Sequence, residues 1–367
     1  MSKENQEFIA LVALDDGSGN IACRFEDTDK QVFEKYIPAR IERGSAAGLG
    51  GSGMSANVWE TEEGNRFTVR KNPLKPVSTL DPDYQLSEAN RVLALHTMSK
   101  AGLGDVPCVV GCTMPAEQFY NKGDDHNPFD EERQKAKGRN LMKRITNVYG
   151  GIKPPRVLIV QAFPEGLPAF FWLAYGERHG ERPKYTENQT TLIVDLGEFT
   201  ADLALVGSGA EDEVLAYSTH EHGIHVMVER FRALLAREGI QDAKSIPTAN
   251  LKNIIQCGYI GTDLETPEAI AARVDISHLV AEAAEYLNDL LLEDIRELTR
   301  GVQLTRIGFV GGGAYWLGGL ARKTWKYPVD IPDEPELAIV RGVHLLMQND
   351  QAALLKQARA KLAKETE

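Results

Sequence analysis

The stretch that decides the fold is Ala13–Asn20, ALDDGSGN. A short apolar run, Phe8–Leu14, precedes it and reads as a buried strand. Ile21–Phe25 follows as a second strand-like run. Strand, acid, Gly-Ser-Gly turn and strand make a hairpin with its chemistry at the tip. Gly17, Ser18 and Gly19 are small enough for the backbone N–H groups of Asp16–Asn20 to converge on one spot, which suits phosphate oxygens. Asp15 puts a carboxylate beside that spot, and a carboxylate next to bound phosphate usually serves magnesium. The same letters occur in ordinary hairpin turns, so the tip alone leaves both readings open.

A second copy of the device stands at Thr191–Asp202, TLIVDLGEFTAD: an apolar strand, Asp195, Gly197 and Thr200, then strand again through Leu203–Val206. A third element, Arg306–Ala314 (RIGFVGGGA), is a buried strand ending in three glycines. Asp15 and Asp195 lie 180 residues apart, one on each half of the chain. Two strand–Asp–x–Gly–strand hairpins followed by a glycine-rich strand end resemble the phosphate and adenosine signals of the actin-like ATPases. The implied class is α/β, the actin-like (ribonuclease H-like) fold, with two lobes and a nucleotide cleft between them. Residues 112–145, CTMPAEQFYNKGDDHNPFDEERQKAKGRNLMKRI, narrow the likeness. A strand end running into T-M-P-x-x-x-F-Y and a charged helix, Asp130–Arg144, resembles the ParM/StbA plasmid-segregation actins. The basic residues Arg133–Arg144 read equally as a solvated helix face or a filament contact.

The resemblance implies roles for particular residues. Asp15 and Asp195 would hold Mg2+, mostly through its waters. The amides of Asp16, Gly17, Ser18, Gly19 and Asn20, with those of Gly197, Glu198 and Thr200, would clasp the phosphates of ATP or GTP. Glu165, after Pro164, would orient the attacking water; its plain reading is a helix N-terminal acid. Gly223 and the start of the next helix would favour phosphate. Gly311, Gly312, Gly313 and Ala314 would let the backbone pass flat against adenine; a tight turn is the plain alternative. Two positions depart from the family pattern. Where actin and the best-known ParM carry a lysine, seven residues past the first Asp, this chain has Ala22, and Arg24 on the same strand face is the candidate replacement. Glu198 and Phe199 stand where relatives carry small residues.

The remaining chain sets bounds. Its 367 residues suffice for two domains. The expected division is a first lobe over 1–188 with a small upper subdomain near 26–86, a second lobe over 189–334, a helix over about 335–350 crossing back, and a tail over 351–367. A net charge of −12 argues against a general nucleic-acid surface. No apolar run approaches a membrane span, and no signal-peptide pattern opens the chain. Cys23, Cys108, Cys112 and Cys257 form no C-x-x-C pair and read as buried thiols in a reducing cytosol. Gly48–Gly53, GLGGSG, matches a dinucleotide motif but lacks the strand before and helix after that the motif needs. Ser87 should cap a helix that ends at Gly102. His220, His222 and His225 invite a zinc reading, yet no Cys, Asp or Glu of known ligand spacing joins them. They are expected at the cleft mouth. The tail pattern of Leu354, Leu355, Ala358 and Leu362 reads as a solvated or partner-binding helix rather than a membrane anchor.

The expected function is a nucleotide-switched filament ATPase in the cytoplasm, moving plasmid or other replicon copies apart. Its partners would be copies of itself and a ParR-like DNA-binding adaptor, with no direct DNA contact and no membrane. The alternative is a sugar or carboxylate kinase of the same superfamily. No G-x-x-x-x-G-K-[ST] motif is present, so a P-loop enzyme is excluded.

Overall fold

The structure, a computed structural model, describes residues 8–45, 57–121, 128–176, 189–207, 213–240 and 242–366. Strands β1 (Ala10–Asp15), β2 (Asn20–Glu26) and β3 (Val32–Pro38) open the chain. Short strands β4 (Ile41–Arg43), β5 (Val58–Thr61) and β6 (Arg66–Val69) lead to helix α1 (Glu88–Lys100). Then come β7 (Pro107–Met114), α2 (Ala116–Phe119), α3 (Glu131–Met142), β8 (Ile145–Asn147), β9 (Arg156–Pro164) and α4 (Leu167–Tyr175). The second half begins with β10 (Thr190–Leu196), β11 (Ala201–Gly207) and β12 (Glu213–His220). It continues through α5 (Ile224–Arg237), α6 (Thr248–Cys257), β13 (Tyr259–Ile260), α7 (Pro267–Ala271), β14 (Val274–Asp275) and α8 (Ser277–Leu298). The chain closes with β15 (Arg306–Val310), α9 (Ala314–Thr324), β16 (Val329–Asp330), α10 (Ala338–Asn349) and α11 (Gln351–Thr366).

Two five-stranded sheets share one plan. The first runs β3-β2-β1-β7-β9 and the second β12-β11-β10-β15-β16. In each, the first three strands are antiparallel and the last two run parallel to the central strand. A third sheet, β4-β6-β5-β8, sits on the first half and draws β8 from beyond residue 86, while β3 belongs to the main sheet. Gly48–Gly53 and most of the expected lobe boundary, residues 177–188, lie outside the described residues.

Alternation along β1 feeds two cores. Ala10, Val12 and Leu14 pack with α1, while Ile9, Leu11 and Ala13 pack with α4 and α10. The second face of that same core holds Ile193, Ala204 and Val310 from the second sheet. Helices α4 and α10 are therefore a layer shared by both sheets, and the hairpin tips are positioned against one common base. The helices cross closely: a Cβ at Gly342 would lie 1.7 Å from the Pro168 carbonyl oxygen. The outer face of the second sheet packs on α5, α8 and α9.

Helix α1 starts as expected, the Ser87 side chain accepting from the Asn90 N–H, and Gly102 follows its end at φ +101°. The tail differs from its reading as a solvated helix. Leu354, Ala358 and Leu362 are buried in the shared core, and Lys361 donates to the Leu158 carbonyl at 2.9 Å. The apolar stripe is thin because it only has to cover the edge of a sheet. Cys257 also departs from expectation: it is exposed, while the other three thiols are buried.

Candidate active site

The tips of the two hairpins meet. Gly19 stands so close to the second tip that a Cβ there would fall 2.7 Å from Glu198 Cβ. A cleft of about 550 Å3 opens beside this contact. From the first half it is lined by Asp15, Gly17, Ser18, Gly19, Asn20 and Glu165, and from the second by Asp195, Gly197, Glu198, Thr200, Gly311 and Gly312. Gly313 lines a smaller adjoining hollow.

Four carboxylates floor the cleft. Asp15, at the end of β1, accepts from Thr113 Oγ1 at 3.0 Å. Asp202 lies across the β10–β11 ladder from Asp195 and accepts from Thr200 at 3.0 Å and Thr219 at 2.6 Å. Glu165 follows β9, and one of its oxygens accepts from Gln85 Nε2 at 3.4 Å. Burial and mutual repulsion act together on these acids. Asp15 is pushed up to about 7 by desolvation and the neighbouring Asp16. Desolvation, then Asp202 and Asp15, raise Asp195; burial and the other three acids raise Glu165. Burial also raises Asp202, against its two threonine donors. Among the described residues, no lysine or arginine lines the cleft.

This arrangement fits a hard divalent cation. The donors are all oxygen, the acids are desolvated, and their shared repulsion is what a bound Mg2+ would relieve. Asp15, Asp195 and Asp202 stand where they could hold it directly or through water.

Asp16 has a different environment. It is fully buried, and Lys137 from α3, also fully buried, places Nζ 2.9 and 2.8 Å from its two carboxylate oxygens. Lys137 donates in addition to Gln85 Oε1 at 2.6 Å. A chain of contacts thus runs Asp16–Lys137–Gln85–Glu165, from the first hairpin to the candidate water-orienting acid.

Residues 10–174 match the family model described as plasmid segregation protein ParM, N-terminal. Over these residues the chain is similar to the N-terminal domain of ParM. Solved structures extend the likeness across the chain. A non-polymerisable quadruple mutant of pCBH ParM aligns with TM-score 0.67 and 16% identity, over 93% of this chain and 100% of its own. The archaeal actin homolog Ta0583 in complex with ADP gives 0.66 and 17%, over 93% and 100%. A 15-stranded ParM filament from Clostridium botulinum gives 0.67 and 17%, over 93% and 99%. At such identities the likeness establishes the fold, and the fold is actin-like. No curated protein matches the sequence.

In this actin-like frame, several expected site residues stand elsewhere. Arg24 does not line the cleft: it pairs with Glu34 on β3 at 2.5 Å and lies over the Trp172 ring. Glu34 is held from its other side by Arg341 of α10. Gly223 is not a phosphate cradle. Its N–H donates to the Phe199 carbonyl, and those of Ile224 and His225 donate to Gly197 and Glu198. The α5 amides thus support the second turn from behind. A Cβ at Gly223 would fall 2.4 Å from the Phe199 carbonyl carbon, so the position is restricted to glycine.

The glycine run divides as well. A Cβ at Gly311 would lie 2.2 Å from Asp195 Oδ1, with φ at +80°, and one at Gly313 would meet Leu196. Packing on β10 accounts for those two, and Gly312 alone faces open space. Ala314 is buried in the second core and lines neither hollow. His225 lines the cleft, whereas His220 and His222 turn to Asp294 on α8. Glu198 sends its carboxylate to Lys252.

Asp202, Gln85, Lys137 and Thr219 escaped the sequence reading. Asp202 had a signal, since it repeats the position of Ala22 in the first hairpin. Lys137 had none: it sits in a charged run that looks solvated.

Proposed function

We propose that this chain is a nucleotide-dependent, filament-forming ATPase that moves plasmid or other replicon copies apart, through a ParR-like adaptor bound to DNA. The observation that carries the reading is the contact of two glycine turns over four convergent carboxylates. Phosphoryl transfer to water needs phosphates held, charge neutralised and a water in line. The turn amides at Asp16–Asn20 and Gly197–Thr200 hold phosphate oxygens of ATP or GTP. Asp15 and Asp195, with Asp202 beside them, would hold Mg2+, which would supply the positive charge that the cleft lining lacks. Glu165 accepts the proton of the attacking water; a carboxylate raised by burial is the stronger base. Gln85 fixes its position.

The shared α4–α10 layer gives the switch. Each hairpin tip belongs to a different sheet, so a nucleotide clasped by both ties the two halves to one angle. A polymer that prefers that angle responds to hydrolysis. Support comes from the ParM-type first lobe, from the ADP held by Ta0583 and from the filament built by the Clostridium botulinum ParM. No helix among the described residues is long and apolar enough to cross a membrane.

Right-angle light scattering after addition of Mg-ATP tests the reading. A rise that decays as phosphate appears, and that persists in Glu165→Ala, supports it. Flat traces with hydrolysis intact would overturn the filament reading and favour a small-molecule kinase.

A further inference from the structure

We propose that His220, His222 and Asp294 form a second metal site, built for a borderline transition ion of the zinc class and separate from the magnesium cleft. The site needs no part of the filament reading. His220 ends β12, His222 stands just before α5, and Asp294 projects from α8, 72 residues further along the chain. Sequence spacing hides the trio because its third member comes from a different element.

The geometry is that of a ligand set. His220 Nδ1 is 3.2 Å from Asp294 Oδ1, and His222 Nδ1 is 2.6 Å from Oδ2. One ligand atom from each residue lies within 4.8 Å of the other two. Tetrahedral zinc with bonds of about 2.0–2.2 Å needs ligand atoms about 3.3 Å apart, so a small opening of the His222–Asp294 contact admits the ion. The two rings lie nearly parallel, 13° apart, with centroids 5.9 Å from each other. His220 Nε2 is 2.9 Å from Ser218 Oγ. A donor bond there leaves Nδ1 as the lone-pair nitrogen, and such an outer partner commonly orients a metal-bound imidazole.

Chemistry and access agree. Two imidazoles with one carboxylate select zinc, cobalt, nickel or copper over magnesium, which prefers the all-oxygen cleft. The Asp294 side chain is 8% exposed, while His220 and His222 are 22% and 30% exposed, so an ion can enter from solvent. Three protein ligands leave a fourth position for water, as in exchangeable rather than purely structural sites.

The position gives the ion something to regulate. His222 adjoins Gly223, whose backbone bonds to Phe199 in the second hairpin turn. His220 pairs with Ala201, and Thr219, the residue before it, pairs with Asp202 and donates to its carboxylate. An ion bridging these histidines to α8 would pin the support of the second turn. Metal binding should therefore raise thermal stability and change nucleotide affinity together.

Cobalt uptake, followed by visible absorption on the full-length Cys257→Ser protein in excess Mg2+, tests the proposal. The substitution removes the exposed thiol as a competing ligand. One equivalent of Co2+ is expected, displaced by Zn2+, with the melting temperature raised by either ion. His222→Gln and Asp294→Asn should each weaken uptake at least about tenfold. Ser218→Ala leaves all three ligands in place; it should weaken uptake less and serves as the variant least prone to misfold. No uptake by the parent protein would show that the trio is a hydrogen-bonded His–Asp cluster only. Equal uptake by folded His222→Gln and Asp294→Asn variants would place the ion elsewhere. Either result overturns the site.

Discussion

The hairpins β1–β2 and β10–β11 share a backbone plan and differ in how they tolerate acid. Asp15 and Asp195 end matching strands, and residues 11–20 and 191–200 repeat the same alternation of buried and half-buried positions. Beyond that they diverge. The first hairpin has Asp16 next to its catalytic candidate and Ala22 across the ladder. The second has Leu196 and Asp202 at those places. At these two places each hairpin thus carries one extra acid, beside the strand-end Asp in the first and across the ladder from it in the second. Asp16 is neutralised by a buried lysine, whereas Asp202 has hydroxyl donors and faces the cleft. One acid is paired inside the fold and the other is open to the cleft.

The largest effect should come from removing the structural neutralisation. Lys137→Met leaves Asp16 buried and unpaired, which should cost about 3–5 kcal/mol in urea unfolding. The double variant Asp16→Leu/Lys137→Met makes the first hairpin resemble the second at that position and should recover most of the loss. If Lys137→Met unfolds at the wild-type midpoint, Asp16 is not held as described.

The cleft acids should give the next effect. Asp15 is raised to about 7 from 3.8, and Glu165, Asp195 and Asp202 are raised too. Between those values the unfolded chain has released protons that the folded chain keeps. Stability of the nucleotide-free protein therefore falls as pH rises through about 4 to 7, and Asp15→Asn should flatten the fall. Urea midpoints near the two ends of the window read it. A rise with pH, persisting in Asp15→Asn, would mean that the acids are already neutralised.

A smaller effect tests the contact between the tips. Gly19→Ala should separate them and lower nucleotide-dependent hydrolysis about tenfold, a typical consequence of overpacking by about 1–3 kcal/mol. Glu198→Gly removes the opposing Cβ and should restore much of the loss in the double variant. Additive losses would show that the tips do not press on each other in the working protein.

How much of this was legible in the sequence depends on separation along the chain. Both hairpins, the Ser87 cap and the glycine-rich strand end follow from local pattern and turn chemistry. The pairs Asp16–Lys137 and His222–Asp294 join residues 121 and 72 positions apart, and nothing local in a lysine or an aspartate reveals its partner. The tail stripe Leu354, Ala358 and Leu362 was visible, but not the sheet it covers. Glycine conveyed strain and not its cause: Gly311 and Gly313 are small because β10 is close, a reason that only the folded chain supplies.

The smallest expected effect concerns Arg24, and it bears on the missing lysine. Read from the strand alone, Arg24 replaces that lysine in phosphate binding. In the structure its guanidinium is held between Glu34 and Trp172, joining β2, β3 and α4. Arg24→Ala should therefore leave nucleotide affinity nearly unchanged. Its cost should appear in stability, about 1 kcal/mol, because Arg341 continues to pair Glu34 and cover the same ring. A sharp loss of affinity would mean that the arginine swings into the cleft when phosphate arrives. The first hairpin would then supply a cation of its own beside the phosphates.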